Sequence, residues 1–107
     1  MDYGVDLIMG DHPHVLQPME KYNNKTIIYS LGNFIFGGNR HPENRTIIYQ
    51  HTITLTSNNK ISEETGNIIP CYVYTGDTNN WQPAPIKDKA TKKKVLNFMN
   101  GKRKNPL

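Results

Sequence analysis

The sequence predicts an α+β fold that is mostly antiparallel β-sheet, with one short helix near the carboxyl terminus. Runs of β-branched and aromatic residues recur between turns that contain asparagine or glycine. In the longest run, residues 45–56, apolar side chains alternate with period two, as a strand requires. Helical spacing of apolar residues is found over 90–100. With 107 residues, 36% of them hydrophobic, the chain has the size of a single core.

Strands are predicted in the first half of the chain wherever apolar or β-branched runs are bounded by turn residues. The predicted ranges are 5–9, 17–22, 26–31 and 34–36. The first strand is expected to be buried and to run directly into the loop 10–14. The second and third are expected to form a hairpin, because Asn23 and Asn24 tolerate the left-handed backbone of a turn.

Two strands and the helix are predicted in the second half, at 45–56, 68–74 and 90–100. Pro70 cannot donate a ladder hydrogen bond, so the second of these strands is expected to be an edge strand or to bulge there. Either Asp88 or Thr91 is expected to be the N-cap of the helix. Gly101 is expected to end the helix, because glycine readily adopts the left-handed conformation found there. Residues 101–107 are expected to form a frayed basic tail.

The excess positive charge of the chain is concentrated near the carboxyl terminus. Thirteen basic and nine acidic residues give a net charge of +4, and the excess lies near the carboxyl terminus, in Lys89, Lys92, Lys93, Lys94, Lys102, Arg103 and Lys104. A solvated helix face and tail explain this cluster better than polyanion binding, and nucleic acid is not expected as a partner because no aromatic residues interleave with the lysines. A single cysteine, Cys71, excludes an internal disulfide and is expected to be an inert strand residue. No apolar run has the length of a membrane span.

The loop 10–14, Gly-Asp-His-Pro-His, contains the residues most suited to chemistry. In extended backbone, His12 and His14 would point to the same side, and Pro13 would stiffen the link between them. Neutral imidazole is the commonest side-chain ligand for zinc, iron and manganese. The spacing alone is nevertheless more typical of two surface histidines, because a metal site needs three or four ligands.

Two longer segments give this loop a context. The sequence GVDLIMGDHPHVLQPME at 4–20, followed by IYSLGNFIFG at 28–37, resembles the carboxy-terminal signature of CapA-like poly-γ-glutamate capsule proteins. That family in turn resembles the metallophosphoesterases, whose Gly-His-x-His motif supplies two histidines to a two-metal centre. The resemblance therefore implies that His12 and His14 are metal ligands and that residues 1–100 are the carboxy-terminal part of such a domain. The implied fold is a segment of a four-layer α/β sandwich.

The resemblance also implies cofactors and partners. Full-length relatives are expected to hold divalent ions, Mn, Zn or Fe, with further ligands from an Asp-x-His motif, a central aspartate motif and an Asn-His pair, none of which occurs in this sequence. The isolated chain is therefore expected to bind no metal firmly and to be inactive. Poly-γ-glutamate or another anionic polymer is the implied partner, and the bacterial envelope or an extracytoplasmic site is the implied location. The alternative is a non-catalytic β-rich module that forms homo-oligomers through exposed strand edges.

Other polar residues have both structural and functional interpretations. Asp11 is either a turn residue or a residue that orients a ligating histidine, and Asn33 either pins a turn or helps to form the site. His51 is expected to be a hydrogen-bonded core or edge histidine. Exposure is expected for His41, in a polar loop, and for Glu20, in the hairpin.

Overall fold

The structure is a computed structural model that describes residues 3–37, 40 and 42–107. In chain order its elements are β1 (Leu7–Met9), β2 (Met19–Tyr22), β3 (Lys25–Ile28), β4 (Arg45–Leu55), β5 (Ile61–Tyr72), β6 (Ala84–Pro85) and α1 (Lys89–Met99). The strands form two three-stranded sheets, ordered β1-β3-β2 and β4-β5-β6. The prediction of a mostly antiparallel α+β fold with one short carboxy-terminal helix is confirmed.

The first sheet combines a hairpin with one parallel strand. β2 and β3 pair antiparallel, as predicted, and an isolated bridge between Leu16 and Leu31 continues their pairing. β1 pairs parallel with β3 and has no strand on its other side among the described residues. The prediction that β1 is buried is wrong, because Ile8 is 37% and Met9 is 50% exposed. Side chains of a strand project from the faces of the sheet, and the exposure of Ile8 and Met9 shows that these faces are incompletely covered at β1.

The second sheet is dominated by the long hairpin of β4 and β5, which helps to give the molecule its extent of 51 × 25 × 25 Å. Alternation along β4 holds near its base, where Ile47 is buried and Tyr49 is half-buried. Farther along the same face, Ile53 and Leu55 are exposed. The period-two pattern therefore predicted the strand correctly, although only the base of the hairpin contributes to the core.

Pro70 lies inside β5, which is the central strand of its sheet, so the prediction of an edge strand is wrong. Nor does a bulge occur there, since the register of the hairpin shifts between Thr54 and Leu55. The Pro70 carbonyl accepts a hydrogen bond from the Ile86 amide at 2.9 Å. The two-residue strand β6 pairs with Cys71 and Tyr72 and not with Pro70, so the missing N–H interrupts no bridge on that side.

The strand predicted at 34–36 does not form, and these residues lie in bends. Gly32, at φ +73, turns the chain so closely against β4 that a Cβ there would lie 3.0 Å from the Arg45 carbonyl oxygen. The chain then leaves the first sheet. Phe34, Ile35 and Phe36 are consequently exposed despite their high β propensity.

Helix α1 begins and ends with defined caps. Asp88 is the N-cap, and its carboxylate accepts from the Thr91 amide at 2.8 Å and the Thr91 hydroxyl at 2.5 Å. At the other end, Gly101 has φ +75 and donates to the Phe98 carbonyl, while Lys102 donates to the Asn97 carbonyl. This pair of bonds is a Schellman motif, as the glycine predicts.

One cluster of buried residues joins the base of the hairpin to the helix and to the chain before β2. Its members are Leu16, Ile47, Ile86, Val95, Phe98 and Met99. The two sheets are also joined by polar contacts. Thr46, which is fully buried, donates to the Leu31 carbonyl at 2.8 Å, and Lys25 of β3 pairs with Glu64 of β5 at 2.6 Å.

Cys71 is 1% exposed, and burial raises the pKa of its thiol, as expected of an inert packing residue. The tail is less frayed than expected, because Pro106 is buried and the Arg103 side chain donates to the Asn105 and Leu107 carbonyls. Within the described parts of the chain, no helix has both the length and the hydropathy of a membrane span.

Candidate functional site

The histidine loop leaves β1 in close contact with β3. The Gly10 amide donates to the Ile28 carbonyl at 2.6 Å, one residue beyond the β1 ladder. A Cβ at Gly10 would collide with the carbonyl of Tyr29. Glycine is therefore required here for close approach of two backbones, and this contact fixes where the loop begins.

His12 and His14 do not adopt the extended backbone that was expected, because their φ angles are +99° and +63°. Positive φ is uncommon outside glycine, and such conformations are often found at functional sites. The two rings nevertheless lie together, with centroids 5.8 Å apart. The expectation of neighbouring imidazoles is thus met through a bent loop, and not through strand alternation.

His14 is held by two contacts from the chain after β3. Its Nδ1 atom lies 2.7 Å from the side-chain oxygen of Asn33, and its ring stacks on Phe36 at a centroid distance of 5.1 Å. An amide oxygen can only accept, so in the neutral imidazole Nδ1 carries the proton and Nε2 carries the lone pair. Asn33 is buried, which makes this bond a fixed part of the loop.

Ser30 organises both arms of the site, and the sequence analysis did not single it out. Its hydroxyl donates to the Val15 carbonyl at 2.6 Å and accepts from the Gly32 amide at 3.2 Å. The residue is fully buried. Ser30 therefore ties the segment after His14 to the segment before Asn33. A serine inside an otherwise apolar strand was the available signal, because a buried hydroxyl needs partners.

The carboxylate of Asp11 accepts from the backbone amide of His12 at 2.7 Å. Among the described residues, the side chain that bonds a histidine ring is that of Asn33, whereas Asp11 contacts the backbone of its neighbour.

A cleft of about 600 Å³ opens beside the two histidines. Its lining is mostly apolar and consists of Met9, Asp11, His12, His14, Leu31, Gly32, Asn33, Phe34, Ile35, Phe36, Thr46, Ile47, Ile48 and Tyr49. No lysine or arginine is among these residues. The cleft thus places the imidazoles at the edge of an apolar surface.

The remaining predicted residues lie outside this cleft. His51 is hydrogen-bonded to Glu64 at 3.0 Å and to the Tyr49 hydroxyl at 3.1 Å, as the structural interpretation predicts. Glu20 is exposed and accepts from the hydroxyl of Tyr29, and this bond is the main reason that the pKa of Tyr29 is raised. His41 lies outside the described residues.

The distance between the two ring centroids can be compared with the distance expected for imidazoles that share a metal ion. Metal–nitrogen distances are about 2.0–2.1 Å, so two imidazoles that share an ion have centroids roughly 5–6 Å apart. The observed separation of 5.8 Å agrees with this. Over residues 3–37, 40 and 42–107, however, no group of three or more His, Cys, Asp or Glu side chains is placed to hold a metal ion. Two histidines alone do not complete a structural or catalytic site.

Sequence comparisons identify relatives of the chain. The family described as bacterial capsule synthesis protein PGA_cap matches residues 1–38. The PGA biosynthesis protein CapA of Bacillus subtilis (strain 168) is 37% identical over 95 residues, which are 89% of this chain and 22% of that protein. The capsule biosynthesis protein CapA of Bacillus anthracis is 56% identical over 36 residues, 34% of this chain and 9% of that protein. The chain thus spans about a fifth or less of the length of these relatives. No solved structure matches it significantly.

Proposed function

This chain is CapA-like over most of its length, and we propose that it supplies the two-histidine corner of a divalent metal centre in a capsule biosynthesis protein. The observation that supports the proposal most directly is the bond between His14 and Asn33. Ligating histidines characteristically donate their second ring N–H to a nearby acceptor, which fixes the ring and the tautomer. Asn33 is such an acceptor, and it leaves Nε2 of His14 available for a metal.

In this proposal His12 and His14 bind the metal ion, and residues outside this chain supply its remaining ligands. Mn, Zn or Fe held in such a centre would polarise a phosphoryl-like or amide-like electrophile and activate a bound water. His12 and His14 provide neutral nitrogen ligands, and Asn33 keeps His14 in position. The wider fold, a four-layer α/β sandwich related to the metallophosphoesterases, belongs to the same proposal.

The proposed partner is an anionic polymer such as poly-γ-glutamate, as the names of the relatives suggest for capsule synthesis. The apolar lining of the cleft contains no lysine or arginine to pair with polymer carboxylates. A metal centre at the histidines would supply the positive charge that the lining lacks. We therefore expect the polymer to be recognised through the completed centre, and we expect the isolated chain to hydrolyse neither a phosphodiester nor poly-γ-glutamate.

Metal titration of the purified chain tests the histidine corner. Added Mn²⁺ should broaden the resonances of His12, His14 and Asn33 selectively, and His14→Ala should abolish the effect. His51→Ala is the matched control, because His51 lies outside the cleft and is bonded to Glu64. Broadening that is unchanged in His14→Ala, or that centres on His51, would refute the proposal. Stoichiometric metal that survives dialysis of the isolated chain would show instead that two histidines and this loop suffice.

A second candidate, a non-catalytic module that associates through strand edges, is favoured by β1. This strand pairs on one side only among the described residues, and Ile8 and Met9 are exposed. Open strand edges can pair with another chain. Sedimentation velocity of the wild type and of Ile8→Lys separates the candidates: a dimer that Ile8→Lys dissociates supports the module, whereas a monomer at all concentrations argues against it.

A further inference from the structure

A second cavity, of about 360 Å³, lies at the base of the β4–β5 hairpin. It is lined by Asn44, Arg45, Tyr72, Tyr74, Thr75 and Gly76, and it shares no residue with the histidine cleft. One of these residues is a cation and none is a carboxylate. Three carry hydroxyl groups, and Gly76 leaves part of the rim without a side chain. The lining therefore has the chemistry of a site for an anion.

Pairing of the strands places Arg45 in this cavity. Arg45 and Tyr72 are cross-strand partners, so the guanidinium lies over the Tyr72 ring, 4.8 Å from its centroid. Its Nη1 atom donates to the side-chain oxygen of Asn44 at 2.9 Å. Stacking on the Tyr72 ring and the hydrogen bond at Nη1 keep the guanidinium in this cavity.

The charge and one donor of Arg45 are unmatched. No carboxylate of the described residues lies within ion-pairing distance of the guanidinium. Among the buried side-chain nitrogen and oxygen atoms of the described residues, Nε of Arg45 is the one without a hydrogen-bond partner. Buried donors are nearly always paired, so an orphaned one indicates that an acceptor is missing.

We propose that this cavity binds an oxyanion, a carboxylate or a phosphate group, with Arg45 as the cation that recognises it. Nε and Nη2 lie along one edge of a guanidinium, and this edge pairs side-on with two oxygens of such a group. The bond that Arg45 donates to Asn44 occupies Nη1, which is not on that edge. Because Nε is covered by protein atoms, binding should rotate the guanidinium over the Tyr72 ring. The Thr75 hydroxyl on the rim supplies a further donor.

The lysines of α1 and the tail are the competing anion site. They are flexible and solvated, so they offer charge without a fixed donor geometry. Lys93, which is exposed on the helix, provides a control of equal charge. Arg45→Gln and Lys93→Gln each remove one positive charge, but only the first removes the planar donor in the cavity. The proposal does not depend on the metal centre proposed above.

The test is an amide NMR titration of the chain with sodium acetate and, separately, with inorganic phosphate, each at constant ionic strength against sodium chloride. At least one of the two anions should shift the amides of Tyr72, Thr75 and Gly76 saturably. The affinity should fall about tenfold or more in Arg45→Gln, because hydrogen bonds to charged groups are strong, and should be unchanged in Lys93→Gln. Acetate and phosphate distinguish a carboxylate ligand from a phosphate ligand.

Two further variants keep the test decisive if Arg45→Gln fails to fold. Thr75→Val removes a rim hydroxyl on an exposed residue and should weaken binding severalfold. Arg45→Lys keeps the positive charge but removes the two parallel N–H donors of the guanidinium edge, and it should also weaken binding. The proposal is wrong if neither anion gives saturable shifts around the cavity. It is also wrong if binding is unchanged in folded Arg45→Gln or in both replacement variants, or if the shifts fall on the helix lysines alone.

Discussion

The Nδ1 atom of His14 and the side-chain oxygen of Asn33 lie 2.7 Å apart, although the two residues are nineteen positions apart in the chain. Between them the chain forms the whole β2–β3 hairpin. The hairpin therefore determines the orientation of the imidazole. A disturbance of the turn at its far end should reach the histidine loop through this bond and through the Gly10–Ile28 and Ser30–Val15 bonds.

Replacing Asn33 tests that dependence. In the wild type, His14 should carry its ring proton on Nδ1, and in Asn33→Leu this preference should be lost because no acceptor remains. Metal affinity at the histidine pair should then fall about 10–100-fold, the usual cost of losing such a partner. Long-range nitrogen–proton correlation spectra of the ring report the tautomer directly. Asn33→Asp keeps an acceptor and serves as the control; identical ring spectra for all three proteins would contradict the prediction.

Met99 should contribute strongly to stability. Its side chain is fully buried in the cluster between the helix and the hairpin. Met99→Ala should lower the free energy of unfolding by about 2–5 kcal/mol, as buried large-to-small replacements do. Met9→Ala is the matched control, because Met9 is half exposed in β1, and it should change stability by about 0.5 kcal/mol or less. Urea unfolding measures both, and equal losses would show that the core lies elsewhere.

Glu64 should make stability depend on pH. The bonds from Lys25, and next those from His51, hold the pKa of Glu64 below its ordinary value of 4.5. The carboxylate thus contributes stability above the unfolded pKa and loses that contribution as the pH falls through the folded pKa. Glu64→Gln should melt at a lower temperature than the wild type near neutral pH.

The difference in melting temperature should shrink below pH 4.5, where the carboxylate becomes protonated. Thermal unfolding followed by circular dichroism across this range measures it. Glu63→Gln is the control, since Glu63 is exposed and forms no ion pair with the described residues. A difference that persists unchanged in acid would mean that Glu64 acts through packing and not through its charge.

Gly66 should not tolerate a side chain. The phenol of Tyr49 crosses the hairpin and occupies the space where a Cβ of Gly66 would lie. Gly66→Ala should therefore displace the Tyr49 ring at a cost of about 1–3 kcal/mol, which the removal of a strand-interior glycine offsets by about 0.5–1 kcal/mol. It should also weaken the hydrogen bond between Tyr49 and His51.

Gly37→Ala is the control for this replacement. Nothing lies near a Cβ built at Gly37, and its backbone does not have positive φ. The change in the free energy of unfolding should stay within about 0.5 kcal/mol. Chemical denaturation compares the two variants, and the ring resonances of Tyr49 show whether the phenol has moved. A stable Gly66→Ala with an unmoved Tyr49 ring would refute this account.

Local patterns were sufficient to predict most of the elements. The β2–β3 hairpin, the long strand β4 and the helix with its Asp88 and Gly101 caps follow from turn chemistry, period-two alternation and capping rules. Two of the wrong predictions concern the burial of a strand and its position in the sheet, and not whether the strand forms. Ile8 is apolar but exposed, and Pro70 is tolerated in a central strand because the two-residue strand β6 pairs with Cys71 and Tyr72 and not with Pro70. Neither fact is encoded by the residues next to them.

The candidate site, like the fold, could be predicted only in part. The proximity of the two imidazoles was expected from the sequence, and a place for Asn33 at the site was one of two interpretations, but the bent backbone of the loop was not expected. The contacts of Ser30 with Val15 and Gly32 require the loops on both sides of the hairpin to meet. Such a contact depends on tertiary structure and has no local sequence signal beyond a hydroxyl in an apolar strand.

Under the metal-binding role proposed above, the left-handed backbone at His12 and His14 would place folding and metal binding in opposition at two positions. A non-glycine residue in a sparsely populated conformation costs of order 1–3 kcal/mol, and glycine would adopt these angles without that cost. A library randomised at the two positions and selected for thermal resistance should accumulate glycine, whereas one selected for metal capture should return histidine. The loop would then be a place where evolution has retained a less stable protein in exchange for a binding group.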